Sequence, residues 1–471
     1  MKEADVLIIG AGPGGYVCAI RASQLGARVI LVEKDALGGT CINRGCIPTK
    51  VLIRAVDIID TARHKSKDYG INIGELNIDF TKMMGQKEQI VSSLVSGIQA
   101  LMKSNSIEVV KGDATVLSPN QVEVSNGQGE KEIVQCRRMI LATGSVAATP
   151  PVPGINGEKV ITSDGALALS EIPKSMIVIG GGAIGVEFAT IFAGLGTKVS
   201  LLEMMPQLIP TEDAELAAAL RNSLRKKGIE VLTGARVSQI EDDLAGGKTV
   251  TVTTGDGEKK LTGDIVLSAA GRKPNTEGLG LEMAGIATEK ARILVNRKME
   301  TNVPGVYGIG DAAGRIQLAH VASAEGEVAA ANAARKEAVM DYRVVPRCIY
   351  GLPEAAAVGM TEKEAREKVG DVAVGSFPFI ANGKAIIRGE RNGFVKFVTE
   401  SKTGQVLGVH IFGAHATDII SEAALSIKMG ATVEDIFSTI HPHPTLSEML
   451  REAALDAKGR VLHNMPQVKG G

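Results

Sequence analysis

Cys41 and Cys46, in the stretch GGTCINRGCIPTK, are the side chains of this 471-residue chain with the clearest capacity for chemistry. A cysteine pair at such close spacing is a metal site, a structural crosslink or a redox couple. A four-ligand metal site needs a second Cys/His pair, and the other cysteines, Cys18, Cys136 and Cys348, are scattered. These three are expected to be buried small hydrophobes. A crosslink over so short a loop contributes little, and a reducing cytosol works against it. Position favours the redox couple. Pro48 opens the apolar stretch VLIRAVDIID, which predicts a helix whose N-terminus lies beside Cys46, where the helix dipole favours thiolate over thiol.

Two stretches that follow one plan must set this pair in place. Residues 4–33 (ADVLIIGAGPGGYVCAIRASQLGARVILVE) and 174–203 (KSMIVIGGGAIGVEFATIFAGLGTKVSLLE) each run from an apolar strand through GxGxxG into a helical stretch, a second apolar strand and an acid. The glycines are Gly10, Gly12 and Gly15 in the first and Gly180, Gly182 and Gly185 in the second. The acids, Glu33 and Glu203, stand equally far from the last glycine in both. Such glycines let the backbone approach a pyrophosphate at the helix N-terminus, and the acid accepts from ribose hydroxyls. Two units call for two dinucleotides, one held and one exchanging, which points to FAD and a nicotinamide nucleotide.

Around these units, 51–103 has helical spacing and 107–141 reads as short strands. GVYGIGD (305–311) reads as a strand ending in an acid, and 318–339 as a long Ala-rich helix. From about 344, the strand-like runs VVPRCIY, GFVKFVTE and GQVLGVHIF precede helices at 417–429 and 445–458. This tail has no nucleotide fingerprint, so self-association is its expected role. The fold class is α/β: two Rossmann-like dinucleotide-binding domains, for FAD and NAD, plus a C-terminal α+β interface domain. The expected divisions are 1–147 (FAD domain, first part), 148–270 (NAD domain), 271–342 (FAD and central domain, second part) and 343–471 (interface domain).

Composition excludes other classes. The 52 Lys+Arg against 53 Asp+Glu leave a net charge of −1, without the basic surplus that nucleic acid or an anionic membrane demands. Trp is absent and aromatics are 3%, which argues against a stacking groove for single strands. The most apolar stretch, 176–195, contains Glu187, and a carboxylate at mid-span costs a membrane helix about 2.5–3.5 kcal/mol. A buried strand and helix are expected there instead. The N-terminal apolar run is too short for a secretory signal and five cysteines are too few for a disulfide scaffold, so a cytoplasmic protein is expected.

The cysteine stretch follows an N-terminal FAD fingerprint. After it come ATGS (142–145), GGGAIGVEFA (180–189), GRKPN (271–275), GIGDAAG (308–314), LAHVASAEG (318–326), YGLPEAAAVGMTE (350–362) and HPHPTLSE (441–448). In this order and over essentially the whole chain, the pattern resembles the class I pyridine-nucleotide disulfide oxidoreductases, and within them the dihydrolipoamide dehydrogenase family. The resemblance implies that Cys41 is the interchange thiol and Cys46 the thiolate beside the flavin, with Lys50 near the flavin ring and paired with Glu187. It implies FAD contacts from Gly10, Gly12, Gly15, Glu33, Lys34, Gly39, Thr40, Lys50, Ala114, Thr143, Gly144, Ser145, Asp311, Ala319 and His320. NAD would lie against Gly180, Gly182, Ala183, Ile184, Gly185, Glu203, Val237, Ala270 and Gly271. His443 would be the general base and Glu448 its orienting carboxylate, both reaching the thiols from the second subunit of a homodimer. A base is needed because a thiol of pKa ~8.5 is mostly protonated at neutral pH. Thr445–Glu448 is also a capping-box pattern, a purely structural use for Glu448, and His441 is read as a turn residue. No metal site is expected.

Glu203 accepts from a 2′-hydroxyl and repels a 2′-phosphate, and MMPQLIPTED after it supplies no cation, so NAD(H) is expected over NADP(H). That weighs against a glutathione-reductase-like enzyme, and the lack of cysteines after Cys348 weighs against a mercuric-reductase-like one. The implied reaction is oxidation of dihydrolipoamide on the arm of a 2-oxoacid dehydrogenase or glycine cleavage complex, with the lipoyl arm expected on another protein. A non-catalytic flavoprotein subunit would have no chemical reason to hold Cys41, Cys46, His443 and Glu448 together. One residue departs from the family pattern. Arg44 stands between the cysteines where an apolar side chain is usual, and a cation there is expected to lower the thiolate pKa and retune the potential or the acceptor.

Overall fold

Both glycine-motif units fold as strand, turn and helix. In the computed structural model, which describes residues 2–127 and 129–464, Lys2–Ile9 pairs in parallel with Val29–Glu33 across the helix Pro13–Gln24. Ser175–Ile179 pairs in the same way with Lys198–Glu203 across Ala183–Leu195. Residue 1, residue 128 and the end of the expected interface domain, 465–471, lie outside the described residues. The apolar runs VILVE and SMIVI are buried nearly throughout, as parallel strands covered on both faces must be.

The first sheet has seven strands. Its order is Glu108–Lys111, Val29–Glu33, Lys2–Ile9, Lys131–Leu141, Gln121–Ser125 and Asp113–Ser118, with Val306–Gly308 also paired to Lys131–Leu141. Chain returning after the second unit therefore completes the sheet begun before it. The second sheet is wholly parallel, in the order Glu230–Thr233, Lys198–Glu203, Ser175–Ile179, Ile265–Ser268 and Val160–Ile161. In each, the glycine turn leaves the carboxyl end of a strand with neighbours on both sides, the switch point where doubly wound sheets open a crevice.

The C-terminal unit is a five-stranded antiparallel sheet: Arg347–Ile349, Glu354–Gly359, Val406–Gly413, Phe394–Glu400 and Val372–Pro378. The helices Ala416–Met429 and Glu448–Asp456 pack on it around buried Phe377, Phe379 and Phe397. Each such ring contributes about 1.5–3 kcal/mol through burial.

Two helices are shorter than their patterns suggest. The Ala-rich helix spans Ala319–Ala333, not 318–339. The Asn332 amide donates to Ala338 O at 2.8 Å while its Oδ1 accepts from Ala338 N–H at 3.1 Å, which turns the chain out of the helix. The helix expected at 445–458 spans Glu448–Asp456. The stretch 176–195 is the buried strand and helix expected of it, and among the described residues no helix is long and apolar enough to cross a membrane.

Candidate active site

The cysteines occupy consecutive helices, Gly39–Arg44 and Cys46–Asp60, with Gly45 between them. A Cβ at Gly45 would lie 2.8 Å from Thr40 O, so glycine is what lets the second helix turn back on the first. This helix starts at Cys46, ahead of the expected Pro48, which falls in the first turn where its missing N–H leaves no bond unmade. Cys46 thus lies at the positive end of the helix. A hydrogen bond from the Cys41 thiol pushes the Cys46 thiol down to about 7; burial and the Glu187 carboxylate oppose this and the Lys50 ammonium assists it. The same hydrogen bond, joined by burial, holds Cys41 far above its ordinary value. Of the two sulfurs, Cys46 is the one that ionises first.

Lys50, one turn along from Cys46, reaches Glu187 on Ala183–Leu195, with Nζ to Oε1 and Oε2 distances of 3.0 and 2.8 Å. Glu187 is buried. Its Oε1 also accepts the Tyr350 N–H at 3.1 Å, and Lys50 Nζ lies 4.5 Å from the centre of the Tyr350 ring. Three units therefore meet at this pair, the last of them through a residue that sequence reasoning did not single out. Its signal was available, since Tyr350 opens the quoted motif YGLPEAAAVGMTE.

His443 and Glu448 come together on the C-terminal unit. The His443 ring bonds through Nδ1 to Glu448 Oε1 at 2.8 Å, while Glu448 Oε2 accepts the Thr445 N–H at 2.6 Å. The capping box expected of Thr445–Glu448 does not form, because the helix starts after Ser447 and the Thr445 hydroxyl donates to Pro442 O instead; Glu448 spends one oxygen on the ring and the other on the Thr445 N–H. The His443 side chain is 78% exposed. Among the described residues no hydrogen bond or ion pair joins it to Cys41 or Cys46. His441 is more than a turn residue: its ring is clamped between Thr439 O (3.0 Å) and Glu422 Oε1 (2.9 Å).

The two dinucleotide cradles share one geometry at their three motif glycines and their acid. Gly10 and Gly180 have φ of +99° and +113°, and a Cβ on either would come within 2.4 Å of a carbonyl oxygen, of Ala142 or of Ala269. A Cβ on Gly15 or Gly185 would sit 1.8 Å from the first glycine's oxygen. Nothing lies near a Cβ at Gly12 or Gly182, the open side where a pyrophosphate would rest. Each acid holds its loop by two backbone donors: Glu33 accepts from Ala11 (2.7 Å) and Asp35 (2.8 Å), Glu203 from Gly181 (2.6 Å) and Met205 (2.7 Å). Beside the first turn the buried Thr143 Oγ1 has no partner among the described residues, and beside the second neither has Ser268 Oγ. These orphan hydroxyls suit polar ligands, and the residues present fit FAD and a nicotinamide nucleotide.

The remaining expected contacts are distributed around these cradles. Gly39, with Thr40 next to it, would bring a Cβ to 2.7 Å from Gly12 Cα. Glu33 O accepts from Gly112 N–H, which brings Lys34 and Ala114 to that edge. Ser145, next to Gly144, donates to the Asp311 carboxylate, and Arg272 donates to Ser145 Oγ (2.7 Å) and O (2.6 Å). Sequence reasoning did not single out Arg272 within GRKPN or Glu325 within LAHVASAEG; the buried Glu325 carboxylate accepts Gly310 N–H at 2.6 Å and so fixes the Asp311 turn. Ala319 starts its helix, and the His320 ring bonds Pro346 O at 2.9 Å. Ala183 and Ile184 open the second unit's helix; Ala270 and Gly271 follow Ser268, and Val237 packs near Ile179 and Leu202.

Two expectations are corrected. Arg44 is not aimed at the sulfurs: its guanidinium pairs with Asp35, beside Glu33, and the charges that act on Cys46 are Lys50 and Glu187. Cys348 is half-buried, whereas Cys18 and Cys136 are buried; its thiol is pushed up to about 11, chiefly by burial.

A model described as pyridine nucleotide-disulphide oxidoreductase matches residues 4–326, and a model of the corresponding dimerisation domain matches residues 345–454. A dihydrolipoyl dehydrogenase of Bacillus subtilis (strain 168) is 42% identical, covering 98% of this chain and 99% of its own. The mitochondrial dihydrolipoyl dehydrogenase of Pisum sativum is 41% identical over 98% of this chain and 93% of its own. Among solved structures, LpdA from Mycobacterium tuberculosis aligns with a TM-score of 0.88 at 26% identity, covering 96% of this chain and 99% of that one.

Proposed function

The chain belongs to the pyridine nucleotide-disulphide oxidoreductases, FAD-dependent enzymes, and from that premise we propose that it oxidises protein-bound dihydrolipoamide to lipoamide with NAD⁺ as acceptor. The observation that carries the reading is the placement of Cys41 and Cys46 on consecutive helices, Cys46 at a helix N-terminus with the Lys50–Glu187 contact one turn along, which favours charge on Cys46 over Cys41. Similarity along the full length to dihydrolipoyl dehydrogenases supports the substrate.

In the proposed cycle a dihydrolipoamide thiolate attacks Cys41 Sγ of the oxidised pair. A substrate–Cys41 disulfide forms, the Cys41–Cys46 bond breaks, and Cys46 leaves as the thiolate its site stabilises. His443, supplied by the second copy in the homodimer, takes the proton of the remaining substrate thiol, and Glu448 holds the ring through Nδ1. That thiolate closes the lipoamide ring, and Cys41 leaves and is protonated. Gly10, Gly12, Gly15 and Glu33 would hold FAD, which when bound would supply the two-electron acceptor that lets Cys41 and Cys46 return to the disulfide, with NAD⁺, held against Gly180, Gly182, Gly185 and Glu203, as the final acceptor. The dimerisation domain at residues 345–454 supports the two-copy arrangement. A lipoyl-bearing protein of a 2-oxoacid dehydrogenase or glycine cleavage complex is the proposed partner, and domain divisions at 148, 271 and 343 belong to the same reading.

Glu203, with both oxygens fixed by backbone donors, presents a held negative charge to the adenosine ribose. A like charge set against it costs several kcal/mol, so kcat/KM for NADH should exceed that for NADPH by at least about a hundredfold. Steady-state assays of NADH and NADPH, each with lipoamide and with glutathione disulfide, test this. Fastest turnover is expected for NADH with lipoamide. Fastest turnover for NADPH with glutathione disulfide would overturn both assignments.

A further inference from the structure

After Glu203 the chain folds back over the second glycine turn. Ile209 N–H donates to Gly181 O and Glu212 N–H to Ile209 O, both at 2.9 Å. Ile209 closes this fold at φ +41°, a left-handed backbone that a β-branched residue holds only when its surroundings impose it. The restraint comes from the far end of the loop. Glu212 Oε1 accepts from Arg347 Nε at 2.8 Å, and its buried Oε2 has no partner among the described residues. Asp213 accepts from Lys396 Nζ at 3.1 Å and from Glu362 N–H at 3.2 Å. Lys396, 3% exposed, also meets Glu362 Oε2 at 2.8 Å and Glu215 Oε2 at 3.2 Å. Arg347, Glu362 and Lys396 belong to the C-terminal unit, and the acids at 212–215 belong to the second dinucleotide unit. Arg347 begins the short strand that leads to Tyr350, whose N–H meets Glu187.

Buried ions are a poor source of stability, because each costs several kcal/mol to desolvate and packed apolar side chains do as well. Their better use is to fix one register out of several. The register fixed here is that of the loop that follows Glu203 relative to the Lys50–Glu187 contact. We propose that the Arg347–Glu212 and Lys396–Asp213 pairs are positioning groups for the nicotinamide nucleotide, holding residues 204–213 so that Glu203 faces the adenosine ribose. They set nucleotide affinity without touching the nucleotide. This rests on the reading of Glu203 given above.

The test uses the FAD-containing dimer and NADH fluorescence. Arg347 is 28% exposed at its side chain, so Arg347→Met is the milder variant, with a circular-dichroism check of its fold before the titration; Lys396→Met is the second, harsher one. Arg347→Met should weaken NADH binding roughly tenfold, a coupling of ordinary size for residues remote from a ligand. Saturating kcat and the KM for dihydrolipoamide should stay within about twofold, NADPH affinity should not fall, since a displaced Glu203 repels the 2′-phosphate less, and Arg347→Lys should restore most of the loss. Unchanged NADH affinity in Arg347→Met, whatever its melting temperature, overturns the proposal. Glu203→Ala separates the causes. If it weakens NADH and Arg347→Met does not, this inference alone fails; if neither does, the nucleotide reading fails and the inference with it.

Discussion

A Cys46→Ser protein is expected to lose dihydrolipoamide-dependent NAD⁺ reduction by at least about a thousandfold while keeping its fold and its FAD. Serine fits the first helical turn and leaves Gly45 free to make its tight connection, so the helix Cys46–Asp60 should form as before. What disappears is the second sulfur of the couple, and no hydroxyl replaces it in disulfide exchange. Cys41→Ser should cost as much, but the two variants differ in what they trap. In Cys46→Ser the hydrogen bond that holds the Cys41 thiol high is gone, so Cys41 becomes the more reactive nucleophile and should form a stable mixed disulfide with added lipoamide. Cys41→Ser should form much less of it. Intact-mass measurement after incubation with lipoamide reads this directly. Full turnover in either variant would sink the two-sulfur mechanism.

His443→Gln should lower turnover about 10²–10⁴-fold, the usual worth of a positioned proton acceptor. Glu448→Gln should cost less, because glutamine still offers an oxygen to the ring while the Thr445 N–H loses its charged acceptor. The sharper expectation concerns which subunit is served. His443 is exposed on the C-terminal unit and has no bond to the thiols of its own chain among the described residues, so it should act on the second copy's pair. When Cys46→Ser and His443→Gln subunits are mixed and allowed to exchange, half of the dimers are hybrids, each with one site holding both intact groups. About a quarter of the unmutated activity should then reappear, as two-fold symmetry requires. No recovery after confirmed exchange would mean that His443 serves its own chain.

Much of this was legible because the chemistry constrains local sequence. The glycine turns need backbone that no side chain allows, so Gly10, Gly15, Gly180 and Gly185 carry the same signal twice. The cysteine pair with a helix after it is similarly local. Features set by distant chain were not legible. The Tyr350 N–H finds Glu187 only once the C-terminal sheet packs against the second unit, and Arg44 turns to Asp35 because that carboxylate stands beside it in the folded loop. The end of the Ala-rich helix depended on one side chain, Asn332, capturing the backbone of residue 338 in a run whose helical pattern otherwise continues. Glu448 could be read as cap or as partner of His443, and the folded loop decides for the partner, since the helix starts after Ser447 and Glu448 bonds the ring and the Thr445 N–H.

The most direct test of the proposed chemistry is an anaerobic titration of the FAD-loaded protein with dihydrolipoamide, followed by absorbance and thiol alkylation. One equivalent should raise a long-wavelength band from the Cys46 thiolate against the flavin and make two new thiols, Cys41 and Cys46, open to alkylation. With the Cys46 thiol pushed down to about 7, the thiolate persists above that pH, so the band should fade as the pH is taken down through it. Flavin reduction with neither the band nor new thiols at any pH would contradict the account.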